Sequence, residues 1–309
     1  MTESELRTLR DCLASEKPFL AYILPEAADL RFDADPAARI APWPGTGADG
    51  LPPADATPKS AYLANLDNLI AELKISGGKT VIARTIAGDL KQHDLAEIIA
   101  GYFPSFPDCL RFIFRLPEQG VWFGATPELL YRCENGRFHT RALAGTRPRG
   151  TDGPWSAKNL REHRFVADDI ARRLADAGLD ASASEPRTIE YGTVEHLATD
   201  FSAPAPPCDA LPALMAALHP TPAVGGLPRA DAMRHIAALE LSPRRYYGGT
   251  ITVGTDDTFI AYVILRCAHT DGSRWAIYTG SGITGDSSPD DEWNETEAKA
   301  TPLRSLLEK

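Results

Sequence analysis

Three ionisable side chains near the C-terminus, Glu292, Glu295 and Lys299, stand at i, i+3 and i+7. On an α-helix that spacing places them on one face. Upstream, Gly280-Ser281-Gly282 reads as a Gly-rich turn with open backbone N–H groups, followed by a polar loop from Asp286 to Asp291 and a short helix. Carboxylates, an ammonium and free N–H groups in one segment suit an anionic ligand and a hard metal ion. The same residues also fit a surface helix with a Glu295–Lys299 i,i+4 pair, and the segment taken alone favours that simpler reading. Gly280 to Gly285 fits G-x-G-x-x-G after a predicted strand. A Ser/Pro/Asp loop then stands where a helix should open, and no room is left for a βαβ unit, so a dinucleotide site is not expected.

The elements that must position these groups follow from apolar periodicity. Helices are predicted over residues 3–15, 60–74, 94–100, 156–177 and 230–240. In the fourth of these the apolar stripe is Leu160, Phe165, Val166, Ile170 and Leu174, with Glu162 and His163 beside it. Strands are predicted at Phe19–Leu24, Lys79–Arg84, Leu110–Leu116 and Val121–Gly124, and on either side of an Asn135-Gly136 hairpin turn. Strand-like pieces occupy 185–202, and three strands run through YYGGTITV, FIAYVILRCAH and WAIYTGSG. Residues 25–58 read as an irregular loop. Many antiparallel strands with interspersed helices, and no βαβ alternation, indicate an α/β fold of the α+β type.

Composition narrows the function. Thirty-two basic against 42 acidic residues give a net charge of −10, which argues against nucleic acid or an anionic membrane as partner. A few local cations in a cleft still allow an anionic small substrate. The five cysteines are scattered, with no CxxC, as expected of reduced thiols. The polar N-terminus is not a secretory signal, and the longest apolar run, Phe259–Leu265, is too short to span a bilayer. A cytoplasmic protein is expected.

Five blocks taken in order are more specific than any one of them: KTVIAR, FGATPELLYR, LAGTRPRG with the downstream REHRFV, LHPTPAVGGLPR, and YTGSGI…DEWNETEAK. Together they resemble the chorismate-utilising enzymes, and HPTPAVGG resembles the isochorismate synthase branch. The resemblance covers residues 76–309 and implies one catalytic domain over 1–309 with a shortened N-terminal portion, 1–75. It implies large, mostly antiparallel sheets flanked by helices, with the site in a cleft between them.

The reaction so implied moves the hydroxyl of chorismate from ring C4 to C2. Water adds at C2, the double bonds shift and the C4 hydroxyl leaves, so an acid and a base are needed. The resemblance places the base on Lys79 and the acid on Glu128, and chemistry then asks that burial or neighbours lower the first pKa and raise the second. Read without the resemblance, Lys79 is a solvated strand terminus and Glu128 a capping carboxylate. The resemblance further puts Mg²⁺ ligands at Glu162 and Glu295, with Glu292 a possible third. Arg266 and Lys299 would hold substrate carboxylates, Gly145, Gly280 and Gly282 would offer N–H groups, and His196 would lie near the ring. Thr279 stands where Ala is common in the family, and YYGGTITV replaces a more usual ending. The expected partner is chorismate alone, bound by a monomer. Salicylate synthase, feeding pyruvate and salicylate from the same scaffold, and a non-catalytic chorismate-binding regulator are the alternatives. Menaquinone and siderophore synthesis are both outlets for the product, with the reading leaning to menaquinone.

Overall fold

The computed structural model describes residues 1–46, 52–91, 94–191, 194–255 and 258–309. Among the described residues the strands form two eight-stranded sheets, and every pairing there is antiparallel. The first sheet runs, edge to edge, through Gly226–Leu227, Lys79–Asp89, Arg274–Ile283, Cys267–Thr270, Val121–Thr126, Leu110–Arg115, Phe19–Ile23 and Arg31–Asp33. The second runs through Arg187–Tyr191, Val194–Pro204, Arg137–Pro148, Leu129–Glu134, Thr258–Val263, Thr250–Thr255 and Ile40–Ala41, with Ser182–Ala183 beside Val194–Pro204. This is the expected α+β architecture. No helix among the described residues is long and apolar enough to cross a membrane.

The strand alternation explains the packing. In Leu110–Arg115, Leu110, Phe112 and Phe114 join a core with Ile251, Val253, Ile260 and Tyr262 of the second sheet. Ile113, between them, faces the other way, into the cluster that holds Leu9, Ile99, Tyr102, Leu303 and Leu307 of the helices. A third cluster packs Leu66, Leu69, Ile70 and Leu73 of helix Lys59–Ser76 with Val166, Ile170 and Leu174 of helix Ala157–Asp176. The strands are therefore covered on both faces, which is why several read as near-continuous apolar runs. At the Asn135-Gly136 turn both residues have positive φ, 51° and 70°, as the tight hairpin requires.

Four expectations are corrected. Gly280-Ser281-Gly282 is not a turn but lies inside strand Arg274–Ile283. The C-terminal helix is not short: it begins at Pro289, inside the expected loop, and extends to Leu307. The run FIAYVILRCAH is two strands in different sheets, Thr258–Val263 and Cys267–Thr270, broken at residues 264–266. Residues 25–58 are not wholly irregular, since Arg31–Asp33 and Ile40–Ala41 extend one sheet each. Positions 47–51 of that stretch, Gly192 and Thr193 of the 185–202 stretch, and Asp256 and Asp257 after YYGGTITV lie outside the described residues.

Helix Ala157–Asp176 also departs in a telling way. Leu160 is 46% exposed, while Asn159, Glu162 and His163 are buried. The Ser156 side chain caps the helix by accepting from the Asn159 N–H. Its first two turns thus turn a polar face inward, where an apolar stripe was expected.

Candidate active site

Two crossings between the sheets lie side by side, and each carries a site residue. One links Val121–Thr126 to Leu129–Glu134 and holds Glu128. The other links Thr258–Val263 to Cys267–Thr270 and holds Arg266. They are stitched together: the Val263 N–H donates to the Glu128 carbonyl at 2.9 Å, the Ala125 N–H to the Arg266 carbonyl at 3.3 Å, and the Thr126 hydroxyl to the Val263 carbonyl at 2.5 Å. Arg266 sits at φ 49°, which an L side chain adopts only when its surroundings hold it there.

A cavity between the sheets is lined by Lys79, Glu128, Glu162, His196, Arg266 and Lys299, with Gly280, Gly282 and Tyr247 among its walls. Glu128 is no cap: it is 4% exposed and precedes a strand. Burial pushes its carboxyl up to about 8, against the opposing pull of Lys79, Arg141, Lys299 and Arg266. At neutral pH it is mostly protonated and able to donate.

Lys79 is no solvated terminus: it is 1% exposed and its Nζ lies 2.9 Å from Glu162 Oε1. Burial works against the Glu162 charge, but Lys79, Lys158 and Lys299 outweigh it and hold its pKa below the ordinary carboxylate value. The pair needs glycine opposite. A Cβ on Gly282 would stand 2.3 Å from Glu162 Oε1 and 2.6 Å from Lys79 Cε.

Gly280 and Gly282 pair with Ala83 and Val81 across the sheet. The Ala83 N–H instead donates to Glu240 and the Val81 N–H to the Gly225 carbonyl, at 2.7 and 2.8 Å. Both glycines therefore occupy non-hydrogen-bonded pairs, and their own N–H groups point away from that neighbour. On their other side the adjoining strand pairs only as far as Tyr278. Lys299 donates to the Gly280 carbonyl there at 3.0 Å and to Glu295 at 2.7 Å.

His196 connects the Arg266 crossing to the second sheet. Its Nε2 lies 3.0 Å from Arg266 Nη2, and its Nδ1 3.2 Å from the Gly145 carbonyl. An arginine can only donate, so Nε2 accepts and Nδ1–H donates to Gly145. Burial, Arg266 and Lys299 together hold the imidazole pKa well below its usual value, which keeps it neutral. Gly145 is the extra residue of a β-bulge, at φ 76°, where the register shifts between His196 and Leu197. It supplies a carbonyl to His196, between Ala144 and Thr146 of the cavity wall.

Glu292 and Glu295 line an adjoining groove, with Lys158 and Asn159 from the facing helix. Glu292 is 1% exposed. Burial and Glu295 push its carboxyl up to about 7, against Lys158 and Ser287. Its Oε2 is buried without a hydrogen-bond partner of good geometry. No group of three or more acidic, imidazole or thiol side chains among the described residues forms a ready metal cage. Mg²⁺ does not require one, since it takes one or two carboxylates and keeps several waters. Glu292, with a buried oxygen left without a hydrogen-bond partner, is a hard-oxygen donor of the kind that ion takes.

Lys158 and Tyr247 were not singled out in the sequence. For Lys158 a signal existed: it precedes Glu162 by one helical turn. For Tyr247, an aromatic residue before Gly248-Gly249, neither periodicity nor spacing marks a site.

A family model described as "Chorismate binding enzyme" matches residues 52–308. Over 240 residues the chain is 31% identical to isochorismate synthase MenF of Haemophilus influenzae, covering 74% of this chain and 56% of that protein. Over 288 residues it is 31% identical to a salicylate biosynthesis isochorismate synthase of Pseudomonas aeruginosa, covering 88% and 59%. It thus spans somewhat over half the length of these relatives. The solved structure of MenF, the menaquinone-specific isochorismate synthase from Escherichia coli, superposes with a TM-score of 0.72 at 26% identity, over 85% of this chain and 66% of that one. With a match across most of its length, and the sheets and cleft to go with it, the chain belongs to the family of chorismate-binding enzymes.

Proposed function

We propose that the chain is an Mg²⁺-dependent isochorismate synthase, converting chorismate to isochorismate. The observation that carries this reading is the placement of a protonated carboxyl, Glu128, in the same buried cavity as the Lys79–Glu162 pair. The reaction needs a proton given to the departing C4 hydroxyl and one taken from the water attacking C2. Glu128 gives the first, and the hydroxyl leaves as water. Lys79, buried with its Nζ 2.9 Å from Glu162, takes the second. The ring double bonds shift between the two events, and the net change is an isomerisation.

The remaining groups bind. Arg266, held by the neutral His196, presents a planar guanidinium to a carboxylate, and Lys299 with the Gly280 and Gly282 N–H groups serves the other end of the substrate. Glu162 and Glu295, with Glu292, would hold Mg²⁺, whose charge would neutralise the ring carboxylate of chorismate. Among the outlets of isochorismate we favour menaquinone synthesis.

Two results test the reading. Incubated with chorismate and Mg²⁺, the protein should bring chorismate towards a mixture with isochorismate, followed by chromatography. Enzyme-dependent salicylate and pyruvate would move it to salicylate synthase, and unchanged chorismate would leave a binding protein. Turnover should also decline as pH rises through about 8, as Glu128 loses the proton it must donate, and a pH–rate profile checks this.

Gly282→Ala should lower turnover by about tenfold or more, because its Cβ would displace Lys79 from Glu162. The accompanying stability loss should be about 1–3 kcal/mol, as for other overpacked sites. Steady-state kinetics beside urea denaturation would show this, and unchanged kinetics would remove the Lys79–Glu162 pair from the mechanism.

A further inference from the structure

The carboxylate wall beside the cavity holds as many lysines as acids. Lys79 lies 2.9 Å from Glu162, Lys158 lies 2.6 Å from Glu292, and Lys299 lies 2.7 Å from Glu295. Each of the three carboxylates thus already has an ammonium within ion-pairing distance. A divalent cation entering this balanced set brings two further charges, and the nearest ammonium must withdraw.

Lys158 is the one able to do so. The Lys79 side chain is 1% exposed and that of Lys299 15%, and both line the substrate cavity. That of Lys158 is 23% exposed and lines the adjoining open groove. Its placement also runs against local preference. It stands in the first turn of helix Ala157–Asp176, where the helix dipole disfavours a cation and no acidic residue offsets it. Its ammonium faces Glu292 at 2.6 Å and shares the groove with Glu295.

We infer that Lys158 is a built-in counter-cation: its ammonium pairs with the buried Glu292 in the metal-free protein and is displaced into the groove when a divalent cation binds. This rests on the Mg²⁺ reading above and adds a residue that tunes it. Lys158 is a positioning residue, and the consequence is a deliberately moderate metal affinity, since each ion bound must evict it.

The test is calorimetric titration of Mg²⁺ into the full chain, wild type and Lys158→Met, without substrate. The variant should bind Mg²⁺ about tenfold or more tightly than wild type. It should also melt at a lower temperature than wild type in EDTA, and Mg²⁺ should restore it. A folded variant with equal or weaker affinity than a wild type that binds Mg²⁺ would overturn this inference and leave the metal site standing. Absence of binding by both proteins would bring down the metal site, and this inference with it. A second measurement needs no variant. Amine acetylation of the wild type, read by mass spectrometry, should label Lys158 faster in Mg²⁺ than in EDTA, and equal or slower labelling would overturn the proposal.

Discussion

Glu128→Gln is expected to lower chorismate turnover by about 10²-fold or more while making the protein relatively more stable at alkaline pH. Both effects have one cause. Burial raises the Glu128 carboxyl from an ordinary 4.5 to about 8. The folded state therefore binds this proton more tightly than the unfolded chain does. The stability it contributes is fully present below about pH 4.5 and is lost as pH rises through about 8. Glutamine fills the same space with no proton to lose, so the variant escapes that decline. Between pH 5 and pH 8 the stability difference should move in the variant's favour by up to about 4 kcal/mol, the free-energy equivalent of about three pKa units. Chorismate turnover and urea denaturation at the two pH values measure the two halves. Wild-type turnover in the variant would sink the acid assignment, and a stability difference constant with pH would show that Glu128 is not held protonated by the fold.

Lys79→Met is expected to abolish turnover to a similar extent, about 10²-fold or more, but with the opposite effect on stability. Lys79 is buried with Glu162 at 2.9 Å, so removing it leaves a carboxylate without its nearest counter-charge. Breaking such a pair costs about 3 kcal/mol or more, because the stranded charge keeps its desolvation penalty. Lys158 and Lys299 act on Glu162 as well and should keep the loss towards the lower end. The double variant Lys79→Met, Glu162→Gln removes both charges and should regain most of the stability and none of the turnover. Denaturation of the two single variants and the double variant gives the coupling directly. Additive losses would mean that the pair does not interact as the structure has it.

Much of the fold could be read from periodicity. The buried strands Leu110–Arg115 and Val121–Thr126 and the helix Lys59–Ser76 follow from local apolar patterns, and the Asn135-Gly136 turn from its need for positive φ. The break in FIAYVILRCAH was not legible. Ile264 and Leu265 look like any strand residues, and only the presence of a second sheet makes the chain turn there. Arg266 takes its position from that turn, at φ 49°, and from the adjacent Glu128 crossing. The inward face of Glu162 and His163 was hidden for a similar reason. A helix stripe is read by its apolar residues, and here the buried face is polar because it meets a cavity and three lysines rather than a core.

By itself the sequence determined the pattern of strands and helices and the order of the five blocks, and the family resemblance those blocks carry singled out the acid, base and carboxylate candidates. Pattern and block order depend on residue type and local spacing, which a linear chain carries in full. Tertiary structure alone decided the states of those candidates. Glu128 is protonated, His196 neutral and Glu162 ionised because of what burial removes and which charges stand nearby. Those neighbours come from helices and strands far apart in the chain, so the chemistry of the site exists only once the two sheets have closed around it.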